Sequence, residues 1–386
     1  MASPEVLAPP APPPPPCSWP PSSVSYTVTG RLGSGTFGVV YRARRATSNT
    51  RSSDVALKVV PRYTLKSSRE LETMLTLCES PHASVMQLVE SFSTRLRGTG
   101  CEARHFTVLV LPLYDSSLRD WLHNFAKSKD TDATRRLSHM QHIGKQLSAA
   151  LAHVHALRIC HRDVKPENIM VSHAGGRGCS CVLADFGSAK QLGAEATDDP
   201  PDEEPLGSIP YVCTRAYRAP ELFFGSHGYR FAPDIWSLGC VLAEVVLCGD
   251  SLFDADASAP HELLEARESE SDASSTAQLH VLVSSLGTPT DSELFDMNPA
   301  LASPHLSHLL SSWLLVRKPA SPDLDWRRVI RGALEGCGGS KRSIAAVTAL
   351  LGGIFLYSPQ RRLSADKLAH HAFWSADVGA SRPLGI

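Results

Sequence analysis

His161-Arg-Asp-Val-Lys-Pro-Glu-Asn168 is the stretch that decides the reading of this chain. It gathers a carboxylate at Asp163, a cation two residues on at Lys165 and an amide five residues on at Asn168. Taking a proton from a hydroxyl needs the carboxylate, and neutralising a transferring phosphoryl group needs the cation. The amide oxygen suits a divalent ion. Asp185-Phe-Gly187 follows the next expected strand and offers a second, anionic metal ligand.

Nearer the N-terminus, Gly33-Ser-Gly35-Thr-Phe-Gly38-Val-Val40 is a phosphate-type glycine run. Alone it also suits a dinucleotide fold or an ordinary tight turn. Its flank Val39-Val-Tyr-Arg-Ala alternates like a strand and not a helix, which favours a hairpin whose tip amides lie over phosphates. Val55-Ala-Leu-Lys58 places a Lys inside an apolar strand, where it needs an anion, and Glu70 in the next helix is well placed. The competing reading gives Glu70 to a capping box opened by Ser67.

Around these motifs, Tyr26 to Val60 is β-rich, with strands also expected near Met86 to Phe92 and Phe106 to Leu111. Leu71, Met74, Leu75 and Cys78 mark one helix, Ile143 to Val154 a long one and Ile235 to Val245 another. A β-rich first part therefore precedes a larger, mainly helical part, joined near residue 112.

The length of 386 residues and 42% apolar content allow two cores. Lys plus Arg at 38 almost cancels Asp plus Glu at 39, which gives no reason to expect nucleic acid or an anionic membrane as partner. No apolar run approaches a membrane span, and the ten cysteines show no pairing rhythm, so a reducing, cytoplasmic setting with access to the nucleus is expected. Cys179-Ser-Cys181 has the wrong spacing for a zinc knuckle. Ten of the 28 prolines fall between Pro4 and Pro21, so residues 1–24 read as a disordered tail. Two surface insertions are expected: an acidic one at 193–206 and a Ser/Ala/Glu-rich one at 254–276.

Taken together, Gly33 to about Trp374 resembles a eukaryotic protein kinase, with Ala219-Pro-Glu221, Asp234-Ile-Trp-Ser-Leu-Gly239 and Arg362 completing the set. The resemblance implies an α+β, two-lobed fold: an N-lobe over 25–111 with an antiparallel sheet and one helix, and a mainly helical C-lobe over 112–374. A hinge is expected at about 112–115, and a C-terminal tail at 375–386. Lys165 two residues after Asp163 is the Ser/Thr-kinase arrangement. Asp185-Phe-Gly-Ser-Ala-Lys-Gln-Leu192, Tyr211-Val-Cys-Thr-Arg-Ala-Tyr-Arg-Ala-Pro-Glu221 and Leu286-Gly-Thr-Pro-Thr290 are similar to glycogen synthase kinase 3.

That family implies ATP and Mg²⁺, with Asp163 as base, Lys165, Lys58 and Glu70 beside it, and Asn168 and Asp185 as metal ligands. ATP would meet Leu32, Gly33, Ser34, Gly35, Thr36, Phe37, Gly38, Val39, Val40, Ala56, Lys58, Leu111, Pro112 and Tyr114. Proline at 112 keeps the carbonyl that accepts the adenine amine. Glu221 would pair with Arg362, and Asp234 would steady the catalytic loop. Arg69, Arg162 and Lys190 match three cations that bind a phosphate four residues beyond the acceptor, which implies pre-phosphorylated protein substrates. Tyr211 matches an activation-segment phosphosite with Arg215 and Arg218 as partners.

Three departures stand out. The acidic surplus Asp198, Asp199, Asp202, Glu203 and Glu204 is expected to compete for the basic pocket, and the Arg-free tail lacks the family's inhibitory motif. Asp291 to Arg331 keeps little of the family pattern, so docking proteins on the C-lobe do not carry over.

Overall fold

The computed structural model describes residues 18–19, 24–35, 38–47, 50–62, 65–96, 104–128, 132–172, 179–192, 214–224, 226, 230–254, 270–298 and 325–378. The chain divides into two compact units, Met1–Asp115 with Ala184–Ala189, and Ser116–Leu183 with Lys190–Ile386. From the sequence, residues 184–189 belong to the larger part, which is expected to span 112–374. The structure sets them with the smaller unit, where the turn at Phe186–Ser188 packs on helix α1 (Leu65–Glu79). Phe186 is buried there, and so large an apolar side chain drives the placement.

The first unit is an antiparallel sheet built from β1 (Ser18–Trp19), β2 (Val24–Gly35), β3 (Gly38–Thr47), β4 (Thr50–Pro61), β5 (Glu90–Leu96) and β6 (Arg104–Pro112). Its order is β1-β2-β3-β4-β6-β5. Three expectations are corrected here. The tail to residue 24 is not wholly unstructured, because Ser18 and Trp19 pair with Thr27 and Tyr26 on the sheet edge, and β2 starts at Val24. The strand expected at Met86 to Phe92 lies at Glu90–Leu96, since Met86 is buried in the loop that precedes it. Finally, α1 opens at Leu65, so Ser67 lies inside the helix and cannot be its cap.

In the second unit, α2 (Leu118–Lys127) and the long α3 (Ala133–Ala156) are capped by Ser117 and Asp132, whose side chains accept from Asp120 N and Arg135 N. After the short α4 (Pro220–Phe223), helix α5 (Ala232–Val246) is buried along nearly its whole length and packs on α3. Trp236, Trp326, Phe253 and Phe355 form an aromatic core, with Trp236 stacked on Phe253 and edge-on to Phe355. The Glu270–Leu286 helix begins inside the stretch expected as a flexible insertion. Its Ala277, Gln278, Val281 and Leu282 are buried, and burial outweighs the Ser-rich composition. Short strands β7 (Ser116–Ser117), β8 (Ile159–Cys160), β9 (Ile169–Ser172), β10 (Ser180–Leu183) and β11 (Lys190–Gln191) flank the loops that hold the candidate residues. Among the described residues, no helix is long and apolar enough to cross a membrane.

Candidate active site

Pleating sorts the first sheet into two faces. Val39, Tyr41, Ala43, Val55, Leu57 and Val59 pack with Phe106, Val108 and Val110 in one core. The alternate residues Val40, Ala56, Lys58, Leu109 and Leu111 fall on the opposite face. Register then sets Val40 and Leu109 on either side of Lys58, and Leu111 beside Ala56. Leu109 is not among the residues expected from the sequence, although its two-residue spacing from Leu111 sets it on the same face.

Lys58 is 7% exposed. Its Nζ lies 2.5 Å from Glu70 Oε1 and 2.7 Å from Asp185 Oδ1, so the structure brings these three residues together. Burial pushes the ammonium down, but Asp185 and Glu70 outweigh it and the net shift is upward. Burial likewise pushes the Glu70 carboxyl up, against the pull of Lys58. Asp185 adopts a left-handed backbone at φ 61°, ψ 76°, and its Oδ1 accepts from Gly187 N at 3.2 Å.

The glycine run forms the tip of the β2–β3 hairpin, with Gly33 opposite Val40, Ser34 opposite Val39 and Gly35 opposite Gly38. Gly38 is required, because at its φ of 150° a Cβ would sit 2.2 Å from Val59 O. Leu32 is exposed on the same strand, while Thr36 and Phe37 lie outside the described residues. Pro112 ends β6 opposite Val55, and Tyr114 follows within the first unit.

In the second unit, the His161–Asn168 loop hangs between β8 and β9. Asp234 fixes its start, accepting from His161 N and Arg162 N at 2.8 Å each and meeting His155 Nε2 at 2.9 Å. Those bonds hold Arg162 at φ 66°, a conformation a side chain rarely adopts unaided. Burial pushes the Asp234 carboxyl up, but the histidine bonds and charges bring it below its ordinary range. Further along, Asn168 Nδ2 donates to Asp163 O at 2.8 Å and Asp163 Oδ2 at 2.9 Å. Lys165 Nζ lies 2.7 Å from Asp163 Oδ2.

Thr214 completes this cluster and was missed in the sequence. Its N–H and hydroxyl each approach Asp163 Oδ1 at 3.3 Å, and its Oγ1 accepts from Lys165 Nζ at 2.9 Å. Thr214 lies within the Tyr211–Glu221 motif, but its partner is 51 residues away, so the motif alone does not announce the bond.

Lys190 pairs across β11 with Cys160, two residues before Arg162. Arg69 is exposed on α1 in the other unit. Arg215 is exposed, whereas Arg218 is buried with its guanidinium 5.1 Å from the Phe223 ring centre. Tyr211 and the acidic stretch 193–206 lie outside the described residues. Glu221 and Arg362 form a bidentate pair, 2.6 Å at both ends, with both side chains fully buried.

A family model described as the protein kinase domain matches residues 26–374. Glycogen synthase kinase 3 of Trypanosoma brucei brucei (strain 927/4 GUTat10.1) is 31% identical over 349 residues, which cover 90% of this chain and 83% of that protein. Its α+β fold, the match along nearly its whole length and that relative agree: the chain belongs to the protein kinase family and is a Ser/Thr kinase similar to glycogen synthase kinase 3.

Proposed function

We propose that Asp163 is the base that receives the proton of a Ser or Thr hydroxyl on a protein substrate as the γ-phosphoryl group of ATP is transferred. The observation that carries this reading is the carboxylate's fixed aim, with Lys165, Asn168 and Thr214 all bonded to it. Lys165 stands beside the accepted proton and offsets charge on the transferring group. Lys58, held by Glu70, would grip the triphosphate beneath the β2–β3 hairpin. The adenine would use the Pro112 carbonyl and the Tyr114 N–H beside Leu111.

Protein kinases use ATP with Mg²⁺. Each unit supplies one donor suited to a hard cation: the first the Asp185 carboxylate, and the second Asn168, whose amide hydrogens are spent on Asp163 and whose oxygen remains. When bound, the ion neutralises charge that develops on the phosphate oxygens.

The substrate class we infer is a protein already phosphorylated four residues beyond the acceptor. Arg69, Arg162 and Lys190 would take that phosphate, each charge-assisted bond contributing about 1.5–3 kcal/mol. Support comes from the pairing that seats Lys190 beside the start of the Arg162 loop, and from the name of the relative. A phosphate on Tyr211 would meet exposed Arg215. Among the described residues Cys78, Cys179, Cys181, Cys248 and Cys337 are thiols outside any disulfide, which supports a reducing setting such as the cytoplasm or nucleus.

Paired peptides with and without the distal phosphate test the specificity. Arg69→Ala and Lys190→Ala should each lower kcat/KM on the primed peptide by about tenfold to a hundredfold and spare the unprimed one. Equal losses on both peptides would remove the priming assignment.

A further inference from the structure

We infer that Arg119 is a positioning residue for phosphoryl transfer: its guanidinium fastens the turn that carries Asn168, and the segment that carries Thr214, to a buried carboxylate of α5. The inference rests on the catalytic-loop roles proposed above.

Arg119 stands in the first turn of α2. Its three nitrogens each meet a different partner. Nε donates to Glu167 Oε1 at 2.8 Å, Nη1 to Glu244 Oε1 and Nη2 to the Tyr217 hydroxyl. The ring closes because Tyr217 OH donates to Glu244 Oε2 at 2.8 Å. Glu244 is 1% exposed and Tyr217 3% exposed, so both are fixed in the interior. Burial pushes the Glu244 carboxyl up, and Arg119 and Tyr217 pull against that shift.

A salt bridge that only anchored α2 to α5 would need Glu244 alone. The other two partners lie on the backbone stretches that hold the reacting groups. Glu167 sits between Lys165 and Asn168 in the Pro166–Asn168 turn. Tyr217 lies three residues after Thr214, and its carbonyl is held in turn by Ser237 Oγ at 2.7 Å. One planar fork therefore sets the spacing of both stretches. A lysine in its place would keep the charge for Glu244, but its three N–H groups radiate from a single nitrogen and cannot reproduce a planar fork whose separate nitrogens span the three partners.

The test uses the full chain and four variants: Arg119→Ala, Arg119→Lys, Arg119→Ala with Glu244→Gln, and Asp163→Asn as reference. Thermal melting, kcat, KM for ATP and KM for peptide are measured on each. Positioning predicts that Arg119→Ala and Arg119→Lys both lose about tenfold to a hundredfold in kcat, with KM for ATP unchanged. The double variant, which no longer buries an unpaired charge, should recover its melting temperature but not its kcat. If kcat returns together with stability in the double variant, or Arg119→Lys turns over like wild type, the role is structural and the inference fails. Should the alanine variants not fold, Arg119→Lys decides alone. Wild-type turnover by Asp163→Asn would instead overturn the catalytic-loop reading, whatever the Arg119 variants do.

Discussion

Lys58 carries two carboxylates within 2.7 Å while itself nearly excluded from water, an arrangement stable only as a set. Removing one member leaves an uncompensated buried charge, which costs about 3–5 kcal/mol. Lys58→Met should therefore lower stability by that order, as read from the denaturation midpoint, and abolish turnover. Adding Glu70→Leu should restore much of the stability and none of the activity; if activity returned with it, Lys58 would have no role beyond packing. At this scale the sequence was most informative. Lys58 stands out as a cation in an apolar strand, with Glu70 well placed in the next helix. The capping alternative for Glu70 could not be dismissed from sequence, because helix starts depend on the backbone, and α1 in fact begins two residues before Ser67. Thr214 and Leu109 were missed for different reasons. The first is joined to Asp163 only by tertiary folding, and the second lies in a strand whose alternation marks it but whose apolar run does not say which face meets a ligand.

Helix α3 shows what an element adds. Gly144 lets it lie against its neighbours, since a Cβ there would be 2.5 Å from the Trp374 ring and 2.9 Å from Leu242. Gly144→Ala should cost about 1–3 kcal/mol by overpacking despite alanine's better helix propensity, and a stabilised variant would contradict that packing. On the same helix His139 meets Trp121 and Phe125 edge-on, with ring centres 4.8 and 4.9 Å away. Burial, then the charges of Arg135 and His142, push its pKa down from 6.5 to about 4. The unfolded chain thus binds this proton first. The contribution is whole above pH 6.5 and is lost as pH falls toward 4, on the order of 3 kcal/mol at about 1.4 kcal/mol per unit. His139→Leu should flatten stability against pH in that window; identical slopes for both proteins would refute the assignment. The amphipathic spacing announced α3 and α5 plainly. By contrast, the helix at Glu270–Leu286 was hidden by its Ser- and Ala-rich composition, and β5 was misplaced because an extended apolar loop and a strand share one pattern.

The whole molecule depends on contacts between distant parts of the chain. Glu221 and Arg362 are 141 residues apart, yet pair through both carboxylate oxygens with no exposure to water. Arg362→Ala should destabilise by about 3–5 kcal/mol, and a melting temperature close to wild type would show that pair to be dispensable. The return of Ala184–Ala189 to the first unit is of the same kind, and no local pattern announced it. The central claim is that this Ser/Thr kinase transfers phosphate by way of Asp163. Its most direct test is transfer of labelled γ-phosphate from ATP to a seryl peptide by wild type and Asp163→Asn, with nucleotide affinity measured on the same samples. The account predicts a fall of about a hundredfold or more with ATP binding intact. A variant that transfers phosphate at the wild-type rate would contradict it.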